Sequence, residues 1–119
     1  MDRTIVKKEK VIAEFREELN LKGIHNKKIY DDSFFKILNL IYKYHPRDIR
    51  CHIKNNDCLS FLVYNNHDYL YIGWLPNTKF DTIISFNKMD GSFDDSDINV
   101  LKLNNALEII DEICKKMVQ

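Results

Sequence analysis

At Ile49 the apolar residues stop recurring at helical spacing and begin to alternate, and that change of period constrains the fold more than any other feature of the chain. Ile49, Cys51 and Ile53 alternate with Arg50, His52 and Lys54, the pattern of a strand with one buried face. Asn55-Asn56-Asp57 then supplies a turn, because Asn and Asp tolerate left-handed backbone and bond to it locally. Cys58 to Tyr64 returns as a second strand, Asn65 to Asp68 turns again, and Tyr69 to Leu75 makes a third. Pro76-Asn77-Thr78-Lys79 breaks the chain before a fourth strand over Phe80 to Phe86. Short polar turns between consecutive strands predict an antiparallel meander.

Helical periodicity flanks this block. Ile5, Ile12, Phe15 and Leu19, with Val11 beside them, predict a helix over residues 5–20, and Asn20 to Gly23 is its stop. Lys22 to Lys28 reads as a polar connector. A second helix is expected to open at Asp31-Asp32-Ser33, whose side chains suit an N-cap, and to end at Tyr44-His45-Pro46. Its apolar residues, Phe34 to Tyr44, spread around most of the circumference, which predicts burial on more than one side. Leu103, Ala106, Leu107, Ile110, Ile113, Cys114 and Met117 form the stripe of a C-terminal helix, with Asn105 and Glu108 as a variant capping box. Residues 98–103 fit either an earlier helical turn or a short fifth strand. The whole is one α+β domain over residues 1–119: two N-terminal helices, a four-stranded antiparallel meander and a C-terminal helix.

Composition narrows the functional classes. With 119 residues, 45% apolar and 12% aromatic, the chain can build one real core. The 18 basic and 18 acidic side chains cancel, which argues against a general nucleic-acid binder. The N-terminus has no apolar signal core, and Lys36, Asn39 and Lys43 interrupt the most apolar stretch, so no membrane span is expected. Cys51, Cys58 and Cys114 show no framework spacing, for which a reduced cytoplasmic setting is the simplest account.

Chemistry-bearing clusters are weak. Cys51, His52, Cys58 and His67 lie close in sequence, but neighbours on a strand point to opposite faces, so Cys51 and His52 do not easily share a metal ion. His67-Asp68 or Cys51 would be the parts of a small Cys/His/Asp enzyme, without any family signature around them. Asp90, Asp94, Asp95 and Asp97 crowd one loop, yet the frame of a calcium-binding loop is absent. No cofactor, metal site or catalytic residue is assigned.

Two features point instead to a protein partner. If the meander buries Ile49, Cys51, Ile53, Leu59, Phe61, Val63, Leu70, Ile72 and Trp74, its other face carries Leu62, Tyr64, Tyr69 and Tyr71. Such a face is either covered, the N-terminal helix being the candidate, or is a binding surface. The charged neighbours expected around these tyrosines are Asp68 and Asp81 and not Lys or Arg, which disfavours RNA stacking. Charge is also divided: residues 1–60 carry 13 basic and 9 acidic side chains, residues 61–119 carry 5 and 9. Between Asp90 and Glu112 seven carboxylates face Lys102 alone. Asp90, Asp94, Asp95 and Asp97 would grip a basic protein surface electrostatically, with Tyr64, Tyr69 and Tyr71 as anchors.

In size, element order and an Asn/Ile/Lys-rich composition the chain resembles the immunity proteins of bacterial toxin systems, including the contact-dependent inhibition type. The resemblance implies a non-enzymatic inhibitor that neutralises one cognate toxin, a nuclease among the candidates, by blocking its active site. An adaptor or regulatory subunit using the aromatic face or an edge strand is the alternative within the binding class.

Overall fold

The computed structural model describes residues 3–65, 68–88 and 98–117. In chain order these form α1 (Arg3–Leu21), α2 (Lys27–Tyr42), β1 (Asp48–Ile53), β2 (Leu59–Tyr64), β3 (Asp68–Trp74), β4 (Thr82–Lys88), β5 (Ile98–Leu101) and α3 (Leu103–Met117). The sheet runs β1-β2-β3-β4-β5 with every neighbouring pair antiparallel. The expected α+β class and the meander are therefore present, and residues 98–101 resolve as a fifth strand.

Register follows from the hairpins. Cys51 pairs with Phe61, Phe61 with Ile72 and Ile72 with Ile84, so one inner row crosses four strands. These side chains are buried, as are Ile49, Ile53, Leu59, Val63, Leu70 and Trp74, the inner-face set expected from the alternation. Burying a Leu, Ile or Phe contributes roughly 1.5–3 kcal/mol each, so this layer dominates the favourable side of folding.

The helices are fastened by aromatic rings. Phe34 of α2 lies parallel to Phe15 of α1, with centroids 3.8 Å apart, and stacks at 5.5 Å on Phe61 of β2. All three are fully buried, so one column ties both N-terminal helices to the middle of the sheet. Val11, Phe15 and Leu19 make the buried stripe of α1. That helix stops as its sequence requires: Gly23 has φ 64°, its N–H bonds to Asn20 O, and Ile24 N–H bonds to Leu19 O at 3.3 Å. The buried Ile24 side chain completes the motif.

Among the boundaries that differ from the sequence reading, three have a visible cause. Helix α2 begins at Lys27, a turn before Asp31, and its N-cap residue Asn26 makes no side-chain cap. Tyr30 explains the extension: its ring meets Trp74 edge-on at 5.0 Å, and its hydroxyl donates to Asp57 O at 2.6 Å. A buried tertiary anchor outweighs the local preference of the aspartates for a cap. Strand β4 begins at Thr82, two residues late, because Asn77 (φ 69°) and the Thr78 hydroxyl bound to Leu75 O prolong the turn. Helix α3 begins at Leu103, and Asp81 Oδ1 accepts from Leu103 N–H at 2.9 Å, so Asn105 is inside the helix and does not cap it.

Helix α3 is also tied to the end of α2. Asp111 accepts a short hydrogen bond from the Tyr44 hydroxyl and faces Lys43 at 3.2 Å and Lys115 at 3.4 Å. The Tyr44 bond, reinforced by the two ammonium groups, holds the Asp111 carboxyl down to about 2.

Two measurements check this architecture. Phe34→Ala removes the middle ring of the column and should cost about 3–5 kcal/mol in urea unfolding; a loss below about 1 kcal/mol would show that the column is not a fastener. Asp111 has a depressed folded-state pKa, so its contribution is complete above the unfolded carboxylate value near 4 and is lost as pH falls towards 2. Asp111→Asn should therefore flatten the acid limb of the stability curve between about pH 4 and pH 2. An acid limb identical to that of the parent protein would refute that assignment.

Candidate functional site: the outer face of the sheet

Side chains that alternate with the buried rows must point to the other side of the sheet, and pairing across strands sets them in three rows. Asp48, Tyr64, Tyr69 and Asn87 form the first; Arg50, Leu62, Tyr71, Ser85 and Ile98 the second; His52, Ser60, Gly73, Ile83 and Val100 the third. Helices α2 and α3 pack on the opposite, inner side, while α1 lies along the β1 edge. No described helix covers the outer face. The N-terminal helix, the candidate cover, is drawn instead to the strand edge, where Glu18 Oε2 accepts from Ile53 N–H in a short bond and Oε1 lies 3.3 Å from His52 Nδ1.

Tyr64, Tyr69 and Tyr71 thus share one half-exposed surface, as the alternation requires. Tyr64 and Tyr69 are direct cross-strand partners with ring centroids 5.9 Å apart. Tyr71 is more firmly held. Lys54 Nζ donates to its hydroxyl at 2.8 Å, Ser60 Oγ lies 3.3 Å from the same oxygen, and the Lys54 ammonium sits 4.7 Å from its ring centroid. The hydrogen bond from Lys54 to Tyr71 raises the lysine's pKa above its ordinary value.

Gly73 makes this pose available. A Cβ built there would lie 2.8 Å from the Tyr71 hydroxyl and 3.0 Å from Ile83 Cγ2, so the ring occupies space that any side chain at 73 would take. The tyrosine is laid down across its own strand and pre-positioned, with little rotamer freedom left to lose on contact with a partner.

Register corrects one inference about charge. Although Asp68 is their neighbour in sequence, the tyrosines have cations across the strands: Arg50 lies 6.0 Å from the Tyr64 centroid, and Lys54 covers Tyr71. Towards β4 and β5 the face becomes aliphatic, with Ile83, Ile98 and Val100 all exposed. Asp90, Asp94, Asp95 and Asp97 lie outside the described residues, as does His67. Their connection leaves β4 at Lys88, which pairs with Asp68, one step beyond the Asn87–Tyr69 pair. Lys88, the last described residue before the four aspartates, thus stands at the end of the sheet that carries Tyr64 and Tyr69.

Cys51 and His52 do not come together on one side. Cys51 is buried on the inner face and His52 is exposed on the outer one. Burial, with Glu18 and Glu14 nearby, pushes the Cys51 thiol well above its ordinary value, and burial pushes Cys114 up to about 12. Neither thiol is an activated nucleophile in this setting. No helix among the described residues is long and apolar enough to cross a membrane.

Sequence reasoning missed Gly73, Ser60, Arg50 and Lys54 as parts of this surface. The β1 alternation already turned Arg50 and Lys54 to the outer side, and a glycine inside a strand often marks a close approach. No family model, curated protein or solved structure matches the chain.

Gly73→Ala tests the pose of Tyr71. The clash falls on the hydroxyl end of a half-exposed ring that can swing out into solvent, so stability should change by less than about 1 kcal/mol while the ring is displaced. The readout is the loss of contacts from Lys54 methylenes to the Tyr71 ring in NMR spectra; unchanged contacts would show that the glycine does not seat the ring.

Proposed function

We propose that this chain is a non-enzymatic, protein-binding inhibitor of the immunity type, which neutralises one cognate toxin by covering a basic surface at its active site. The observation that carries the reading is the outer sheet face: Tyr64, Tyr69 and Tyr71 lie together with Leu62, without a helix over them among the described residues, and Tyr71 is pre-positioned. A solvated sheet face is ordinarily polar, whereas aromatic side chains with polar tips are the residues that anchor protein interfaces.

Charge selects the partner. The seven carboxylates between Asp90 and Glu112, opposed by Lys102 alone, favour a basic surface, and four of them follow Lys88 in the sequence, the residue that ends β4 beside the Tyr69–Asn87 pair. A toxin that acts on nucleic acid presents such a surface to its phosphate substrate, and the aspartates would stand in for those phosphates. The same face, offered to a different protein, would serve an adaptor. The buried thiols and the divided Cys51–His52 pair give no support to the small-enzyme alternative.

The test is co-expression with the protein encoded beside it, followed by titration of the purified pair. Tyr64→Ala, Tyr69→Ala and Tyr71→Ala should each weaken a stoichiometric complex by roughly 10- to 100-fold, with unfolding midpoints little changed. Replacing Asp90, Asp94, Asp95 and Asp97 by Asn should weaken it further and lower its salt dependence. A complex indifferent to all three tyrosines refutes this face, and an unchanged salt slope refutes the acidic grip. Binding of a single-stranded oligonucleotide that is lost on Tyr64→Ala, Arg50→Ala and Lys54→Ala would replace the protein-binding reading with a nucleic-acid one.

A further inference from the structure

Lys54 N–H donates to Cys58 O at 2.9 Å, which sets the phase of the β1–β2 ladder. The N–H and C=O groups of Ile49, Cys51 and Ile53 therefore turn outward, towards α1. Asp48 Oδ1 takes the Ile49 N–H at 2.9 Å, and Glu18 Oε2 takes that of Ile53. A docking strand would need those donors, so the two carboxylates block strand addition. The carbonyls are left over. Among the described residues no donor reaches Ile49 O or Cys51 O.

Ile49 and Cys51 line a cleft of about 690 Å³ between β1 and α1. Glu14, Glu17 and Glu18 form its helix wall, and Asp48 stands on its strand wall. Arg50 lies 3.7 Å from Asp48 and His52 lies 3.3 Å from Glu18, so two of the four carboxylates have partners. Glu14 and Glu17 form no ion pair among the described residues, not even with Lys10, one turn before Glu14. Three residues apart, they share one face of α1. Cys51 is 6% exposed, and its thiol makes no hydrogen bond among the described residues. Burial raises its pKa first and the Glu18 and Glu14 carboxylates add to the rise, so the thiol lies on their side of the strand. Val11 and the exposed Leu21 give the cleft an apolar margin.

Such a lining is rich in acceptors and poor in free donors. We infer that the cleft receives an arginine side chain from the proposed protein partner. A guanidinium is planar, keeps its charge and offers five N–H donors in a fixed fork. It can serve the Glu14 and Glu17 carboxylates and the strand carbonyls together, with its methylenes along Val11 and Leu21. A lysine presents three donors at one point and serves fewer of these acceptors. The described acidic, histidine and cysteine side chains are too dispersed to close round a metal ion.

Position favours an arginine carried by a protein. Asp48, Arg50 and His52 border the cleft and also begin the three rows of the outer face. Tyr64 pairs with Asp48, so β1 alone separates this anchor from the cleft. A partner seated on the tyrosines reaches it by passing one side chain over the β1 edge, and a basic surface supplies that side chain. The bearer of the arginine thus rests on the proposed partner, whereas the chemistry of the cleft does not.

N-acetyl-arginine amide, titrated into the isotope-labelled full chain, should shift the Glu14, Glu17 and Cys51 amides saturably in NMR spectra, with a Kd on the order of 10 mM. N-acetyl-lysine amide should bind at least about threefold more weakly. Glu14→Gln combined with Glu17→Gln should abolish the arginine response and weaken the complex with the co-expressed partner by roughly 10- to 100-fold. Both side chains are exposed, so the unfolding midpoint should stay where it is. No saturable response, or one that the double substitution leaves unchanged, overturns the cleft as a site. An equal response to the two compounds overturns the choice of arginine. If Tyr64→Ala weakens the complex and the double glutamine variant does not, the partner reading stands and this inference falls. If no complex forms while the arginine response is present and is lost in the double variant, the partner reading falls and the cleft keeps its ligand chemistry.

Discussion

The column of Phe15, Phe34 and Phe61 is the contact on which the remaining structure depends. A five-stranded antiparallel sheet has one face to bury, and a single helix cannot cover it. Phe34 belongs to α2, yet its two ring faces are taken by different elements, α1 on one side and β2 on the other. The wide apolar circumference of α2 follows from that position, for a helix sandwiched between a second helix and a sheet has no single polar side. With α2 so placed, α1 is displaced towards the β1 edge and away from the outer face. What is exposed on the sheet is thereby decided by how the core is filled.

Fold class was legible in the sequence wherever one period ruled. The alternation from Ile49 to Trp74 identified the buried inner-face residues of β1 to β3, because with turns this short register leaves no choice of face. Boundaries were less legible wherever a distant partner decided them. Tyr30 extends α2 for the sake of Trp74 and Asp57, and Asp81 takes the first free N–H of α3 from across the loop; neither partner is near in sequence. The short β5, a strand of four residues, offered too few alternations to separate it from a helical turn.

The candidate surface was half legible, for the same reason. Tyr64, Tyr69 and Tyr71 share a face by parity alone. Their electrostatic setting does not follow from parity, since Arg50 and Lys54 reach them across hairpins while Asp68, their neighbour along the chain, does not. Gly73 gains meaning only once Tyr71 is seen lying across it. Chain neighbours describe the solvent around a strand poorly, because the nearest side chains on a sheet belong to other strands.

An outer face of this kind is costly unless it is used. Leu62, the three tyrosines and the aliphatic residues of β4 and β5 expose apolar area that a monomer gains nothing by exposing, and that area invites self-association. The chain guards one edge with Glu18 and Asp48 and places Lys54 over Tyr71, so exposure is managed on the β1 side. On the β5 side no comparable device stands among the described residues, and there the exposed residues are β-branched, the type that strand pairing favours. The contrast divides the face into a cation-rimmed aromatic part and an aliphatic margin. Stability of the monomer alone calls for neither part, since a solvated sheet face is served best by polar side chains.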